Sequence, residues 1–217
     1  TLKSLYHDGP IVFYDNYSKV AFTRSNFVNN DGVEDANGNV NLKLYLAEVG
    51  FLGGLKNVKP FPYNNDGYSV GHATFTKDGN TIYFSSTTPL GYGGADIYSS
   101  TLVNGEWTEP VNVGPGVNTT ENEIYPHIER DSVLYFTSNI YGGFGGLDIY
   151  VSKFKNGKFT EAHNLGYSVN SPQDDFSLVT DSTGRLGFFA SNRPGGQGED
   201  DLYRVVFTRT FLQGITR

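Results

Sequence analysis

The sequence of 217 residues contains no cysteine and no methionine. Without cysteine, the chain has no disulfide framework, no thiolate metal site and no cysteine nucleophile. Without methionine, and with Thr1 at its start, it is expected to be a piece of a longer or processed protein. No run approaches the about 18 consecutive apolar residues of a transmembrane helix, so we expect no direct membrane insertion.

Positive charge is also scarce, since 16 Lys and Arg face 23 Asp and Glu, for a net charge of −7. Such a chain has little field to attract nucleic acid, which is therefore not an expected partner. Glycine, by contrast, is abundant with 27 residues, and 16 Phe, 15 Tyr and one Trp supply apolar bulk. This composition indicates a folded, turn-rich protein.

A repeat of about 52 residues runs through the chain, which is the signature of a solenoid or a propeller. Its anchors are Phe84, Phe136 and Phe189, with Phe22 as an earlier copy. A second signature, Asp-Ile-Tyr or Asp-Leu-Tyr, follows a Gly-rich segment in three copies. In the first copy Lys43 replaces the aspartate and lies later, which predicts an insertion within residues 26–40.

Each repeat contains four short strands and no helical periodicity. In the second copy the strands are expected at about Ala73–Lys77, Thr81–Ser86, Asp96–Leu102 and Glu106–Val113, with Asn104-Gly105 as a hairpin turn. Repeated units of this size predict an all-β fold, a β-propeller of four-stranded antiparallel blades.

About four blades are visible, and the last copy ends after its third strand, so we expect the ring to be completed by sequence outside this chain. The predicted propeller covers residues 1–208, with repeats at approximately 5–66, 67–118, 119–170 and 171–208. Residues 209–217 depart from the repeat and are expected to begin a following domain or linker.

Residues that recur in every blade are best explained as scaffold. Asp96, Asp148 and Asp201 are therefore predicted to accept backbone hydrogen bonds that close the Gly-rich turns. One carboxylate per loop is far from the six to eight oxygen ligands of calcium, so no metal and no cofactor are expected. The four histidines have no metal-ligand spacing and are predicted to be surface or turn residues.

Three acidic residues precede the innermost strands at matching places: Asp8, Glu123 and Asp175. They could form a ring at the channel mouth that binds a cation, a sugar or a basic loop, or each could cap its own turn. Paired carboxylates would also permit glycoside hydrolysis. However, acid and base roles need different surroundings, and these positions are equivalent. We therefore expect no enzyme, with a glycan-binding or glycan-hydrolysing propeller as the alternative.

Several segments together resemble a known family. His7-Asp8-Gly9-Pro10, Gly93-Gly94-Ala95-Asp96-Ile97-Tyr98 and Ser191-Asn192-Arg193-Pro194-Gly195-Gly196 are similar to PD40 repeats, the WD40-like, TolB-related propeller repeats. The resemblance is closer to the propeller of multidomain OmpA-family proteins of the Bacteroidota, including the PorE-like component associated with type IX secretion.

This resemblance implies a non-enzymatic module in the periplasm, associated with the outer membrane. It implies a protein partner, such as an outer-membrane protein or a component of the secretion machinery. It also implies that peptidoglycan is bound only through a domain absent from this chain, so no peptidoglycan-binding residue can be carried over. The expected function is that of a protein-interaction scaffold.

Overall fold

The computed structural model describes residues 8–29, 31–140 and 142–208. Within these ranges the regular structure is almost all strand, and four antiparallel sheets follow one another along the chain as four blades. The predicted β-propeller is confirmed. The described helix is the short 3-10 turn Phe51–Gly53, and no described helix meets the length and apolarity needed to cross a membrane.

Each blade begins with its innermost strand. Blade 1 contains β1 (Asp8–Tyr14), β2 (Lys19–Ser25), the hairpin β3 (Phe27–Val28) and β4 (Asp31–Gly32), then β5 (Leu42–Val49) and β6 (Leu55–Pro60). Blade 2 contains β7 (Val70–Phe75), β8 (Thr81–Ser86), β9 (Asp96–Val103), β10 (Glu106–Trp107) and β11 (Val111–Asn112). Blade 3 contains β12 (Glu123–Glu129), β13 (Val133–Ser138), β14 (Asp148–Lys155), β15 (Lys158–Phe159) and β16 (His163–Asn164). Blade 4 contains β17 (Asp175–Thr180), β18 (Leu186–Ser191) and β19 (Asp201–Val206).

Two strands of blade 2 differ from the sequence prediction. The innermost strand begins at Val70, before Ala73, because a bulge between Gly71 and Thr74 lets pairing with β8 continue past an irregular point. The outer strand is interrupted before Val111, where Pro110 has no N–H to donate to the ladder. The predicted insertion in blade 1 contains the short β3–β4 hairpin, in which Phe27 pairs with Gly32.

The core lies between neighbouring blades, where the repeated aromatic anchors are buried. Phe84 packs with Ala21 and Leu44 of blade 1. In the same way, Phe189 packs with Tyr135 and Ile149 of blade 3. The anchors of blades 2, 3 and 4 therefore pack their blade against the preceding one, which explains why they recur at a constant spacing.

Among the described residues, no comparable layer covers the outward face of blade 4. Phe188, Leu202 and Val206 are 44%, 81% and 59% exposed. The residues of blade 3 that match the first two, Tyr135 and Ile149, are buried against blade 4. An apolar sheet face of this kind is suited to packing against another element. Completion of the ring by sequence outside this chain stays a prediction.

At the contact between blades 3 and 4, Gly145 is expected to tolerate no larger residue without a loss of stability. A Cβ added at Gly145 would lie 2.0 Å from the Gln173 carbonyl oxygen, so Gly145→Ala must displace backbone. We expect a loss of about 2–3 kcal/mol in unfolding free energy, measured by urea denaturation. Gly54→Ala is the control, because Gly54 has φ −73° and no atom within 4 Å of an added Cβ. Equal effects of both substitutions would contradict this reading of the junction.

Candidate functional site

The propeller has two distinct faces. The Gly-rich turns and the connectors between blades share one of them, here called the Gly-loop face, where the Gly94 N–H donates to the Glu121 carbonyl at 2.8 Å. The turns between the first two strands of each blade lie on the opposite face, where the Lys77 N–H donates to Asp131 of the next blade at 2.7 Å. Hydrogen bonds between blades thus fix both faces of the disc.

The repeated aspartates lie inside the Gly-rich turns. Asp96 accepts the N–H groups of Tyr92 at 2.6 Å and Gly93 at 3.1 Å. Asp148 accepts the N–H of Phe144 at 2.5 Å, and Asp201 accepts that of Gln197 at 2.8 Å. Each carboxylate therefore bonds to backbone of its own turn. No group of three or more potential metal ligands occurs within the described ranges.

The predicted acidic residues lie in three different blades at the start of each innermost strand. Glu123 and Asp175 have no exposed surface. Glu123 accepts bonds from the Thr119 N–H at 2.8 Å and from the Thr119 and Ser138 hydroxyls, both at 2.7 Å. Asp175 accepts the Ser171 N–H at 2.5 Å and its hydroxyl at 2.8 Å. Each of these two carboxylates is thus hydrogen-bonded to neighbouring residues of its own blade. That the acidic residues act together as a ring stays a prediction.

Two of the three acids are paired with an arginine of their own blade. Arg24 Nε lies 2.5 Å from Asp8 Oδ1, and its guanidinium carbon lies 5.1 Å from the ring centre of Phe22 and 5.7 Å from that of Tyr45. In blade 4 the guanidinium carbon of Arg193 lies 5.1 Å from Phe189 and 4.7 Å from Tyr203, and Arg193 pairs with Asp175. Both blades therefore place a cation between a carboxylate and two aromatic rings.

Blades 2 and 3 have the aromatic pair without the arginine. Blade 2 has Val70 in place of the acid and Thr88 at the Arg193 position. Blade 3 keeps the acid, Glu123, but has Ile140 at that position, and a pocket of about 190 Å³ opens beside the carboxylate. Burial raises the pKa of Glu123, although the hydrogen bonds from Thr119 and Ser138 oppose this.

The innermost strands of all four blades line an open central cavity of about 200 Å³. Its described lining includes no acidic residue, so Asp8, Glu123 and Asp175 lie outside it. The lining is apolar except for hydroxyl and imidazole groups. The residues that line it are Pro10, Ile11, Val12, His72, Ala73, Thr74, Tyr125, Pro126, His127, Ser177, Leu178 and Val179.

His72 and His127 are not the surface or turn residues that their spacing predicted. His127 Nε2 accepts the Thr180 N–H at 3.1 Å, which links blade 3 to blade 4. His72 Nδ1 lies 3.2 Å from the Ser85 hydroxyl, and its ring stacks on Tyr125 at 4.3 Å between centres. Burial lowers the pKa of both histidines to about 4. The sequence signal for this location was their place in the innermost strands: His72 lies two residues after Val70, and His127 lies four residues after Glu123.

Comparisons with known proteins extend these observations. No protein-family model matches the chain. No curated protein matches it either. Among solved structures, a puromycin-hydrolyzing peptidase of Mycobacterium tuberculosis is similar with 15% identity and a TM-score of 0.57. The match covers 95% of this chain and 28% of the peptidase, so the chain spans less than a third of that protein.

Two further structures are matched over most of their own length. A putative TolB from Agrobacterium tumefaciens has 12% identity and a TM-score of 0.51, with 90% of this chain and 73% of that one covered. An alpha-L-arabinofuranosidase from Lactobacillus brevis has 11% identity and a TM-score of 0.53, with 91% and 71% covered. At these identities the similarity establishes a TolB-like propeller fold shared by enzymes and other proteins, and no particular activity.

Proposed function

We propose that this propeller is a non-enzymatic protein-interaction module whose Gly-loop face binds a protein partner. The observation that carries the proposal is a set of exposed aromatic side chains on that face. Tyr92 and Phe144 occupy equivalent positions in two Gly-rich turns and are 53% and 47% exposed. Tyr167, in the connector from blade 3 to blade 4, is 76% exposed, and its ring centre lies 6.3 Å from that of Phe144.

Exposed aromatic residues on rigid turns are suited to protein recognition, because tyrosine and phenylalanine bury much area with little loss of side-chain freedom. The turns themselves are held by Asp96 and Asp148, so the rings start from fixed positions. Binding to such a surface has a small cost of ordering, which favours affinity.

The acidic residues support this proposal over the glycan-hydrolysing alternative. Hydrolysis needs two carboxylates on either side of one scissile bond. Asp8 and Asp175 are instead paired with Arg24 and Arg193. Both carboxylates are therefore neutralised by an arginine of their own blade, and neither can act as a general acid unless its ion pair breaks.

The wider setting of the proposal comes from the sequence resemblance. We place the module in the periplasm, in an OmpA-family protein that is associated with the outer membrane and with type IX secretion or gliding. Peptidoglycan would be bound through another domain of the same protein. A TolB-like fold supports this setting without specifying it.

Site-specific photo-crosslinking in cells tests the proposal. A benzoylphenylalanine placed at Tyr92, Phe144 or Tyr167 of the intact protein is expected to form a covalent adduct with one defined protein. Tyr17 is the matched control, because it is 78% exposed and lies in a turn on the opposite face. The measurement is the adduct band and the mass-spectrometric identity of the captured protein.

Equal capture from Tyr17 and from the Gly-loop face, or none from either, would contradict the assignment of the binding face. Hydrolysis of a glycan panel by the purified chain, lost in Asp175→Asn, would favour the enzyme alternative. Fractionation of the cells provides the test of the setting, since recovery of the intact protein in the cytoplasm would exclude it.

A further inference from the structure

We propose that the pocket beside Glu123 is a receptor for a guanidinium group, in which a partner polypeptide inserts an arginine side chain. The pocket, here called the Glu123 pocket, lies between Glu123, Phe136, Tyr150 and Ile140 of blade 3. The proposal rests on the proposed function only for the source of the arginine. The recognition itself is argued from the blades.

The protein contains two internal examples of the complex. In blade 1 the ring centres of Phe22 and Tyr45 lie 5.5 Å apart, and in blade 4 those of Phe189 and Tyr203 lie 5.8 Å apart. Each pair carries an arginine that also binds the acid at the start of the innermost strand. Arg24 and Arg193 reach this arrangement from different positions of their blades, so the arrangement itself is what the two blades share.

Blade 3 has every partner of that arrangement except the arginine. The ring centres of Phe136 and Tyr150 lie 5.9 Å apart, with 22° between their planes. Glu123 occupies the place of Asp175, and Ser138 that of Ser191, which accepts from Arg193 Nε at 2.9 Å. Val117, which lines the pocket, matches Val169, whose carbonyl accepts from Arg193 Nη2 at 2.5 Å.

The Glu123 carboxylate can accept one more strong bond. Thr119 and Ser138 supply three donors, two to Oε1 and one to Oε2, and a carboxylate offers about four acceptor sites. No described cation lies within ion-pair distance of Glu123. A buried carboxylate without a cation is costly, and a planar guanidinium both neutralises it and stacks on the rings.

The mouth of the pocket can be reached from outside, and because Glu123 has no exposed surface, an entering guanidinium must move a lining side chain aside to contact the carboxylate. The pocket opens on the Gly-loop face, where its rim includes the exposed residues Pro115 and Glu161. Glu161 adds a second negative charge to the entrance, and no lysine or arginine is among the lining residues. The pocket therefore lies on the same face as Phe144 and Tyr167, the surface assigned above to protein binding.

NMR titration tests the pocket with defined probes. N-acetyl-arginine-N-methylamide is expected to shift the amide signals of Ser138, Ile140 and Tyr150 saturably. The lysine counterpart is expected to bind at least about tenfold more weakly, because an ammonium neither stacks nor forms the planar double contact. Free L-arginine serves to identify the source, since about tenfold tighter binding than the blocked probe would overturn the polypeptide assignment.

Two variants separate recognition from folding. Glu123→Gln is expected to weaken binding of the arginine probe about tenfold or more. Ile140→Arg places an arginine at the Arg193 position, and we expect it to abolish probe binding and to raise the melting temperature. Thr88→Arg is its control, because blade 2 offers the rings of Phe84 and Tyr98 but has Val70 in place of the acid, so no gain is expected there.

Unchanged probe binding in Glu123→Gln and in Ile140→Arg would overturn the proposal, as would equal binding of the lysine probe. These results do not depend on crosslinking at Tyr92 or Tyr167. Failure of the pocket and failure of the proposed binding face are therefore distinguishable.

Discussion

Replacing Arg193 with alanine is expected to lower the free energy of unfolding by about 3–5 kcal/mol, the usual cost of removing one partner from a buried ion pair. Asp175 has no exposed surface, so its charge would remain in the interior without a cation. The substitution also removes the guanidinium from the rings of Phe189 and Tyr203. For a chain of this size the loss corresponds to a fall in melting temperature of about 10 °C.

The double variant Arg193→Ala with Asp175→Asn identifies the cause. If the unpaired charge dominates, the amide should recover a substantial part of the stability lost in Arg193→Ala, because a neutral group costs less to bury. Arg185→Ala is the control, because Arg185 is exposed and directly precedes β18 of the same blade. A loss below about 1 kcal/mol for Arg193→Ala, the level of a surface ion pair, would contradict the account.

Much of the fold could be predicted from the sequence because the same buried positions recur in each blade. Phe84 and Phe136 face the preceding blade, and their spacing follows from that shared task. The bulges could not be read in this way. Each bulge shifts the pairing of an innermost strand by a local change of backbone. The bulge begins after Gly71 in blade 2 and after Ile124 in blade 3, so no common residue type marks it in the sequence.

The candidate site was only partly predictable. The acids at the start of the innermost strands were visible as equivalent positions, but their partners were not. Arg24 lies two residues after the anchor Phe22, whereas Arg193 lies four residues after the anchor Phe189. Their side chains meet equivalent acids only in three dimensions. The Glu123 pocket exists because the Ile140 side chain is too short to contact Glu123 as Arg193 contacts Asp175. A search for repeats looks for what the blades have in common and therefore does not detect this difference.

The cavity histidines were missed for a related reason. His72 and His127 occupy different positions of their strands, and a search for metal-ligand spacing treats them as scattered. They share a place in the lining of the central cavity, which depends on how the innermost strands of four blades meet. The cavity forms only where several blades come together, so the sequence of a single repeat does not reveal which residues line it.

Lowering the pH from 7 to 5 is expected to destabilise the protein by about 2 kcal/mol for each of His72 and His127. Burial lowers the pKa of both to about 4 in the folded state, and their value in the unfolded chain is 6.5. Between these values the unfolded chain binds more protons. The contribution of the neutral histidines is thus complete above pH 6.5 and is lost as the pH falls toward 4.

The structural cause lies at the contact of blades 3 and 4. The Thr180 N–H can only donate, so His127 Nε2 must accept, and protonation of Nε2 would remove this hydrogen bond. Burial raises the pKa of Glu123, Glu129 and Asp148, which acts in the opposite direction as the pH falls. Only a comparison of variants therefore isolates the histidine contribution.

His127→Gln provides that comparison, because a glutamine oxygen can accept from Thr180 without titrating. His72→Asn does the same for the contact with Ser85, and asparagine tolerates the positive φ of 52° at this position. Urea denaturation at pH 7 and pH 5 should show each variant losing about 2 kcal/mol less than the parent chain over this interval. If the double variant keeps the full pH dependence, the titrating groups lie elsewhere, and the neutral imidazoles do not control the stability of the central cavity.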